Sequence, residues 1–265
     1  MNLPLYWVDA FTDRLFQGNP AAVVPVAAWP EGALMQKIAF ENGLAETAFF
    51  VRTGPQRFHL RWFTPELEMD LCGHATLAAA HVVFACLGEP GDRIVFDSRS
   101  GPLTVTRKDG RLELDFPARP ATPVAAADLP PTLLPGLGGP APQWIGKSRD
   151  YVCVYANAAE VRAIRPDFPA LNQIDVIGII VTAPGESGAD FVSRFFAPNC
   201  GVPEDPVTGS SHCTLVPYWA ARLGKNQLRA KQVSPRGGDL WCELRGDRVT
   251  MAGHAVLYLR GEITV

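Results

Sequence analysis

No window of this 265-residue chain approaches the ~18 uninterrupted apolar residues that a membrane-spanning helix needs. Its opening residues, MNLPLYWVDAFTDRLF, have no basic run ahead of an apolar core, so a soluble, cytoplasmic protein is expected and membrane partners are not. Positive charge is scarce: 24 Lys and Arg stand against 27 Asp and Glu, the formal charge is −3, and no Lys/Arg cluster could track a phosphate backbone. Nucleic acid is therefore excluded as an expected partner. The six cysteines (72, 86, 153, 200, 213, 242) form no C-x-x-C pair, which argues against a zinc knuckle and a disulfide scaffold. Most should be buried small hydrophobes. The 24 Gly and 24 Pro fall short of low-complexity levels, and 47% apolar residues suffice for a substantial core.

What is present is organised in two similar halves. The stretch from Pro117 to Pro142, PARPATPVAAADLPPTLLPGLGGPAP, is rich in Pro, Ala and Gly and nearly free of charge. It reads as an extended connection between a first lobe over 1–117 and a second over 142–265, with 118–141 linking them and the C-terminal strand able to pack back on the first lobe. Its Gly136-Leu137-Gly138-Gly139 lacks the preceding strand and following helix of a dinucleotide fingerprint.

On both sides the same elements recur. In the first half, strands are expected at 21–26, 47–51, 57–63, 93–97, 103–106 and 111–116, with helices from Pro30 and from Gly73 to Cys86. The second half repeats the pattern with strands at 151–155, 176–182, 190–196, 228–233, 240–244 and 248–252, a short helix over 166–173 and a longer one from Gly209 to Leu223. Letters repeat as well: RWFTP at Arg61–Pro65 is echoed by RFFAP at Arg194–Pro198, and Cys72-Gly73-His74-Ala75 by Thr208-Gly209-Ser210-Ser211. The distance from Phe to Cys or Thr differs by three residues, which requires a short insertion near 201–203. Because the helix after Gly73 is apolar almost all round, it must be enclosed. The expected architecture is α/β (α+β): two pseudo-symmetric lobes, each a curved, mostly antiparallel sheet wrapped around a central helix.

Both helix entrances carry small residues, and a helix N-terminus with unpaired N–H groups favours negative charge. Gly73-His74 and Gly209-Ser210 are thus candidate donors to a carboxylate or an enolate-like oxyanion in a groove between lobes. Glu46 opens the strand ETAFFV, where alternation puts it on one face with Ala48 and Phe50. A carboxylate among apolar neighbours is hard to ionise, which suits a group that must both take and return a proton. His74 at the first helix entrance and Asp205 in the turn before the second complete a candidate acid/base set. His59, His81, His212 and His254 occur at no metal-ligand spacing and are expected to be packed or surface histidines. Trp62-Phe63 and Phe195-Phe196 repeat with the lobes, as core residues would.

Four strings in order, FQGNPAAV at Phe16–Val23, ETAF at Glu46–Phe49, CGHAT at Cys72–Thr76 and EDPVTGS at Glu204–Ser210, resemble the signatures of the PhzF-like phenazine biosynthesis family. That family shares the two-lobed fold of diaminopimelate epimerase, and the resemblance spans essentially the whole chain. It implies a homodimer acting on a small acidic substrate with no cofactor and no metal. Glu46 matches the glutamate with which the family's isomerase shuttles a proton along one face of a dihydro-hydroxyanthranilate. His74 matches its cleft histidine, and Asp205 the aspartate that holds the substrate amine or hydroxyl. Gly73, Gly209 and Ser210 match positions at the helix entrances, and Asn19, Cys72 and Thr208 join them as substrate-binding candidates. Ala45 departs from the Ser that many members carry before this Glu, removing one hydroxyl contact.

Three functional readings fit these residues. The first is a cofactor-independent isomerase that moves a proton and a double bond on a small carboxylated cyclic substrate with Glu46 as acid/base. The second is a racemase, epimerase or lyase on an amino or hydroxy acid with Cys72 as one base. The epimerase relatives use one cysteine per lobe, whereas Thr208 occupies the second position here. The third is a small-molecule-binding or interaction protein without turnover.

Overall fold

The structure, a computed structural model, describes residues 1–265. The chain forms two compact units: Met1–Phe116 with Thr250–Val265, and Pro117–Val249. No helix is long and apolar enough to cross a membrane.

The first unit runs β1 (Asn2–Ala10), β2 (Asn19–Pro25), α1 (Gly32–Asn42), β3 (Glu46–Gly54), β4 (Arg57–Phe63), β5 (Glu68–Met69), α2 (Gly73–His81), β6 (Arg93–Ser98), β7 (Gly101–Lys108) and β8 (Arg111–Pro117). The second follows with β9 (Thr122–Pro123), α3 (Leu133–Leu137), β10 (Trp144–Lys147), β11 (Tyr151–Val154), α4 (Ala158–Ala163), α5 (Phe168–Leu171), β12 (Ile179–Pro184), β13 (Phe191–Ala197), β14 (Val202–Asp205), α6 (Gly209–Leu223), β15 (Gln227–Gln232), β16 (Gly238–Arg245) and β17 (Arg248–Gly253). The last strand, β18 (Ala255–Thr264), returns to the first unit and pairs antiparallel with β1.

The duplication seen in letters is a duplication of topology. In the first unit β1–β2, β3–β4, β4–β5, β6–β7 and β7–β8 are antiparallel, while β2–β3 and β4–β6 are parallel. In the second, β10–β11, β12–β13, β13–β14 and β15–β16 are antiparallel, while β11–β12 and β13–β15 are parallel. Each parallel pair is joined by a helical crossover, as parallel strands require. One crossover in each unit carries the apolar helix: α2 lies against β1, β2, β3 and β18, and α6 against β15 and β16.

The shared RxFxP string has a shared job. Arg61 donates from Nε and Nη2 to both carboxylate oxygens of Glu68 at 2.7 and 2.8 Å. Its guanidinium lies 5.2 Å from the centre of the Phe63 ring. Each string thus fastens one strand to the short strand that follows, by a fork-to-fork pair that only Arg can make.

The helices end where chemistry dictates. The α1 helix stops at Gly43, whose φ of 62° lets its N–H reach back to the carbonyls of Ala39 and Phe40. Seven of the nine α2 residues, from His74 through Ala80, are buried, which accounts for a helix with no wet face. It continues through Val82–Cys86 as a π-helical turn, closed by Leu87 N–H to Val82 O at 2.9 Å. In α6, Pro217 has no N–H to give the Cys213 carbonyl, and Arg119 N–H takes that carbonyl at 2.8 Å instead. An interior proline is thereby accommodated without leaving a buried acceptor bare.

The Pro/Gly-rich stretch and the C-terminal residues each belong to one of the two units. Residues 118–141 lie wholly within the second unit, where Leu133 and Leu137 of α3 are buried beside Val161, Ile164 and Phe196. Two leucines in a Pro/Gly-rich stretch suffice to draw it into a core, since each buried one is worth about 1.5–3 kcal/mol. Residues 250–265 belong to the first unit, because β18 finds its ladder on β1.

Candidate active site

In the first unit the site is assembled by two neighbouring elements. Strand β2 runs parallel to β3 with Ala21 opposite Glu46, so Glu46 sits where β3 begins, beside the chain that leaves Asn19. Asn19 itself is fully buried. Just before it, Gly18 adopts φ +67°, and a Cβ there would meet the Ala10 carbonyl oxygen at 2.2 Å. Glycine is required at that turn for both space and conformation.

Helix α2 brings the rest. Cys72 is its extended N-cap, and Gly73 and His74 are its first residues. Glu46 Oε2 and His74 Nε2 lie 3.0 Å apart, with side chains 13% and 5% exposed. The two atoms are in ion-pair contact, and neither has another hydrogen-bond partner. On the other side of the imidazole, Nδ1 is 3.5 Å from the Cys72 sulfur. The cap is tied down by Thr76, which donates its hydroxyl to the Cys72 carbonyl at 2.5 Å.

Electrostatics follow from this burial. Desolvation pulls the His74 pKa down, but the Cys72 sulfur and the Glu46 carboxylate on either side of the ring favour the cation more strongly and hold it well above the ordinary histidine value. Desolvation and the Glu46 charge push the Cys72 thiol up to about 11, against a smaller opposing influence of His74. Near neutral pH the thiol is therefore protonated.

The ligand atoms of Glu46, Cys72 and His74 lie within 4.8 Å of one another, close enough to ask whether they could hold a metal ion. A metal takes one imidazole nitrogen, whereas here Nδ1 faces the thiol and Nε2 faces the carboxylate. The arrangement is that of a relay through the ring rather than a cage around a point.

The second unit gathers a separate polar group at the start of α6. Thr208, its N-cap, donates its hydroxyl to Asp205 Oδ2 at 2.5 Å and accepts from Gln232 Nε2 at 3.1 Å. The same Gln232 side chain accepts the Thr208 N–H at 2.9 Å and donates to the Asp205 carbonyl at 2.7 Å. Ser210 accepts from Arg149 Nη2 at 3.0 Å, and Arg149 pairs at 2.7 Å with the buried Asp150. Gly209 opens the helix.

Glu46, Cys72, Gly73 and His74 thus stand together in one unit, which also holds the buried Asn19, and Asp205, Thr208, Gly209 and Ser210 lie in the other. Sequence reasoning missed Gln232 and Arg149, which reach the start of α6 from positions distant in the chain, and Asp150, which pairs with Arg149. No local signal marks them. Among the remaining histidines, His59 meets Trp29 edge-on at 5.1 Å, His212 is buried 5.8 Å from Phe191, and His254 Nδ1 lies 3.1 Å from the Gly110 carbonyl.

Comparison with known proteins places the chain in a family. The profile of the PhzC-PhzF family, described as phenazine biosynthesis-like protein, matches residues 8–261. An uncharacterized isomerase of Pseudomonas aeruginosa is 53% identical over 99% of both chains. The human phenazine biosynthesis-like domain-containing protein is 39% identical over the full length of both. A crystal structure of a PhzF-family phenazine biosynthesis protein from Enterococcus faecalis superposes with a TM-score of 0.95 at 46% identity, covering both chains completely. A probable proline racemase from Agrobacterium radiobacter, at 12% identity and a TM-score of 0.65 over 99% of this chain and 92% of its own, shares the fold alone. With duplicated units on an epimerase-type fold, matching motifs and full-length relatives that carry isomerase names, the chain is an isomerase of the phenazine biosynthesis-like PhzC/PhzF family.

Proposed function

We propose that the protein moves a proton, and with it a double bond, on a small carboxylated cyclic substrate, with Glu46 as the acid/base. The observation that carries this reading is the ion-pair contact of 3.0 Å between Glu46 Oε2 and His74 Nε2, both largely enclosed and neither with any other hydrogen-bond partner. A carboxylate so placed has a lone pair free to accept a proton. It takes the proton from one carbon, the electron pair shifts along the conjugated system, and the carboxylic acid returns the proton at its far end. Composition is unchanged and no electrons are lost. The first N–H groups of α2, at Gly73 and His74, have no partner within the helix and would stabilise the negative charge that develops on the substrate. Asp205, Thr208, Gly209 and Ser210 are proposed substrate contacts on the strength of the motif match, and a homodimer is proposed on the same ground.

The test is deuterium incorporation from heavy water into a panel of small cyclic and acyclic acids, dihydro-hydroxyanthranilate among them, read by mass spectrometry. Wild type should label its substrate, and Glu46→Gln should reduce the rate by about 10²–10⁴-fold. Undiminished labelling by Glu46→Gln would remove Glu46 from the role. The racemase reading with Cys72 as a base is disfavoured by a thiol held at about 11.

A further inference from the structure

We infer that Cys72 is a positioning residue, which fixes the hydrogen on His74 Nε2 so that this nitrogen always presents a donor to Glu46. The inference rests on the reading of Glu46 as the proton carrier. Three observations point to it. The Cys72 sulfur and His74 Nδ1 are 3.5 Å apart, both residues are buried, and the opposite ring nitrogen is the one that meets Glu46.

The number of hydrogens on the ring decides what Glu46 meets. A neutral imidazole carries one N–H, and which nitrogen bears it depends on what faces the other. A thiol that remains protonated can donate S–H to Nδ1, leaving the hydrogen on Nε2, directed at the Glu46 carboxylate. When the ring is cationic, Nδ1–H donates to the sulfur and Nε2–H again faces Glu46. In both protonation states the carboxylate meets a donor. Without the sulfur, the neutral ring could place its hydrogen on Nδ1 and turn a lone pair toward Glu46, an electrostatic clash in a site with little water to relieve it.

The cysteine is suited to this by place as well as by chemistry. As the N-cap of α2 it lies two residues before His74, and the Thr76 hydroxyl bonded to its carbonyl fixes the backbone between them. Cys72 and Glu46 are the two titratable groups that face the ring, one at each nitrogen, so removing the thiol takes away the partner of Nδ1 and leaves that of Nε2 in place. Nothing in the role requires the thiol to attack the substrate.

The experiment pairs Cys72→Ala with Cys72→Ser. Both remove little volume, and their folding is checked by thermal melting. Long-range proton–nitrogen NMR on protein labelled with nitrogen-15 histidine reads the His74 tautomer directly, with no substrate. Wild type and Cys72→Ser should show Nε2 protonated throughout the titration. Cys72→Ala should populate the Nδ1–H form when neutral and titrate at lower pH. In turnover, Cys72→Ala should lower kcat by roughly 10–100-fold with KM changed less than about twofold, and Ser should restore most of it. A wild-type tautomer and titration in Cys72→Ala would overturn the inference, as would a Ser variant as impaired as Ala, which would mark the sulfur itself as reactive. Should Glu46→Gln stay active while the tautomer shift appears, the reading of Glu46 fails and the Cys72–His74 link stands.

Discussion

Arg194 holds Glu204 through two parallel hydrogen bonds, Nε to Oε1 at 2.7 Å and Nη2 to Oε2 at 2.9 Å, the same fork that joins Arg61 to Glu68 in the other unit. Arg194 does more than its counterpart. Its Nη1 also donates to the carbonyls of Val161 and Ile164 at 3.1 and 3.0 Å, so one side chain closes the end of α4 and anchors the turn that leads into Asp205.

Arg194→Met should therefore destabilise the second unit by about 3–5 kcal/mol, because it strands a mostly enclosed carboxylate and two buried carbonyls. The double variant Arg194→Met with Glu204→Leu should recover part of that loss. Urea unfolding of the three proteins measures both effects, and a single variant within about 0.5 kcal/mol of wild type would show that the pair bears no load.

His212 sets the acid limit. Burial pushes it down to about 4, only partly offset by its hydrogen bond to the Thr208 carbonyl, which lies 2.7 Å from Nδ1. Between its unfolded value near 6.5 and that folded value, the unfolded chain binds the extra proton, so stability is present above about 6.5 and is lost as pH falls toward 4. The slope should reach about 1.4 kcal/mol per pH unit. His74 acts in the opposite sense: its raised folded pKa adds stability that is complete below about 6.5 and fades as pH rises through the folded value. Thermal melts from pH 7 to 4.5 should fall less steeply for His212→Gln than for wild type, and parallel curves would contradict the assignment.

The buried thiols should resist alkylation. Burial raises Cys72 and Cys213 to about 11 and Cys153 to about 12, which leaves them protonated at neutral pH. Iodoacetamide at pH 7.5 should leave all three unmodified in the folded protein and label them after denaturation, as peptide mass spectrometry would read. Rapid labelling of Cys72 with loss of activity, slowed by substrate, would instead favour a thiol base.

Much of the fold was legible because duplication leaves a local trace. The strings RWFTP and RFFAP, and the glycines at 73 and 209, each act within a few residues, and the strands at 57–63 and the helix at 209–223 lie within the expected bounds. The fate of 118–141 was not legible, since composition describes a linker equally well whether it hangs free or lays Leu133 and Leu137 into a core. Short strands such as Glu68–Met69 and Val202–Asp205 exist because Trp62 and Phe195 offer them a ladder, not because of their own pattern.

For the site, the sequence by itself determined which chemical groups are available: the carboxylate of Glu46, the imidazole of His74, the thiol of Cys72 and glycines at the helix entrances. Their types are fixed by covalent structure and their motifs by short-range spacing. Only the tertiary structure decided how they meet. Glu46 and His74 are 28 residues apart in the chain, and the meeting of Oε2 with Nε2, leaving Nδ1 to the thiol, follows from how α2 packs against β3. Packing likewise chose Gln232 as the brace of Thr208 and Asp205, 24 residues beyond the motif it supports. A distance between side chains depends on every contact that seats their elements, and no local stretch of sequence contains that sum.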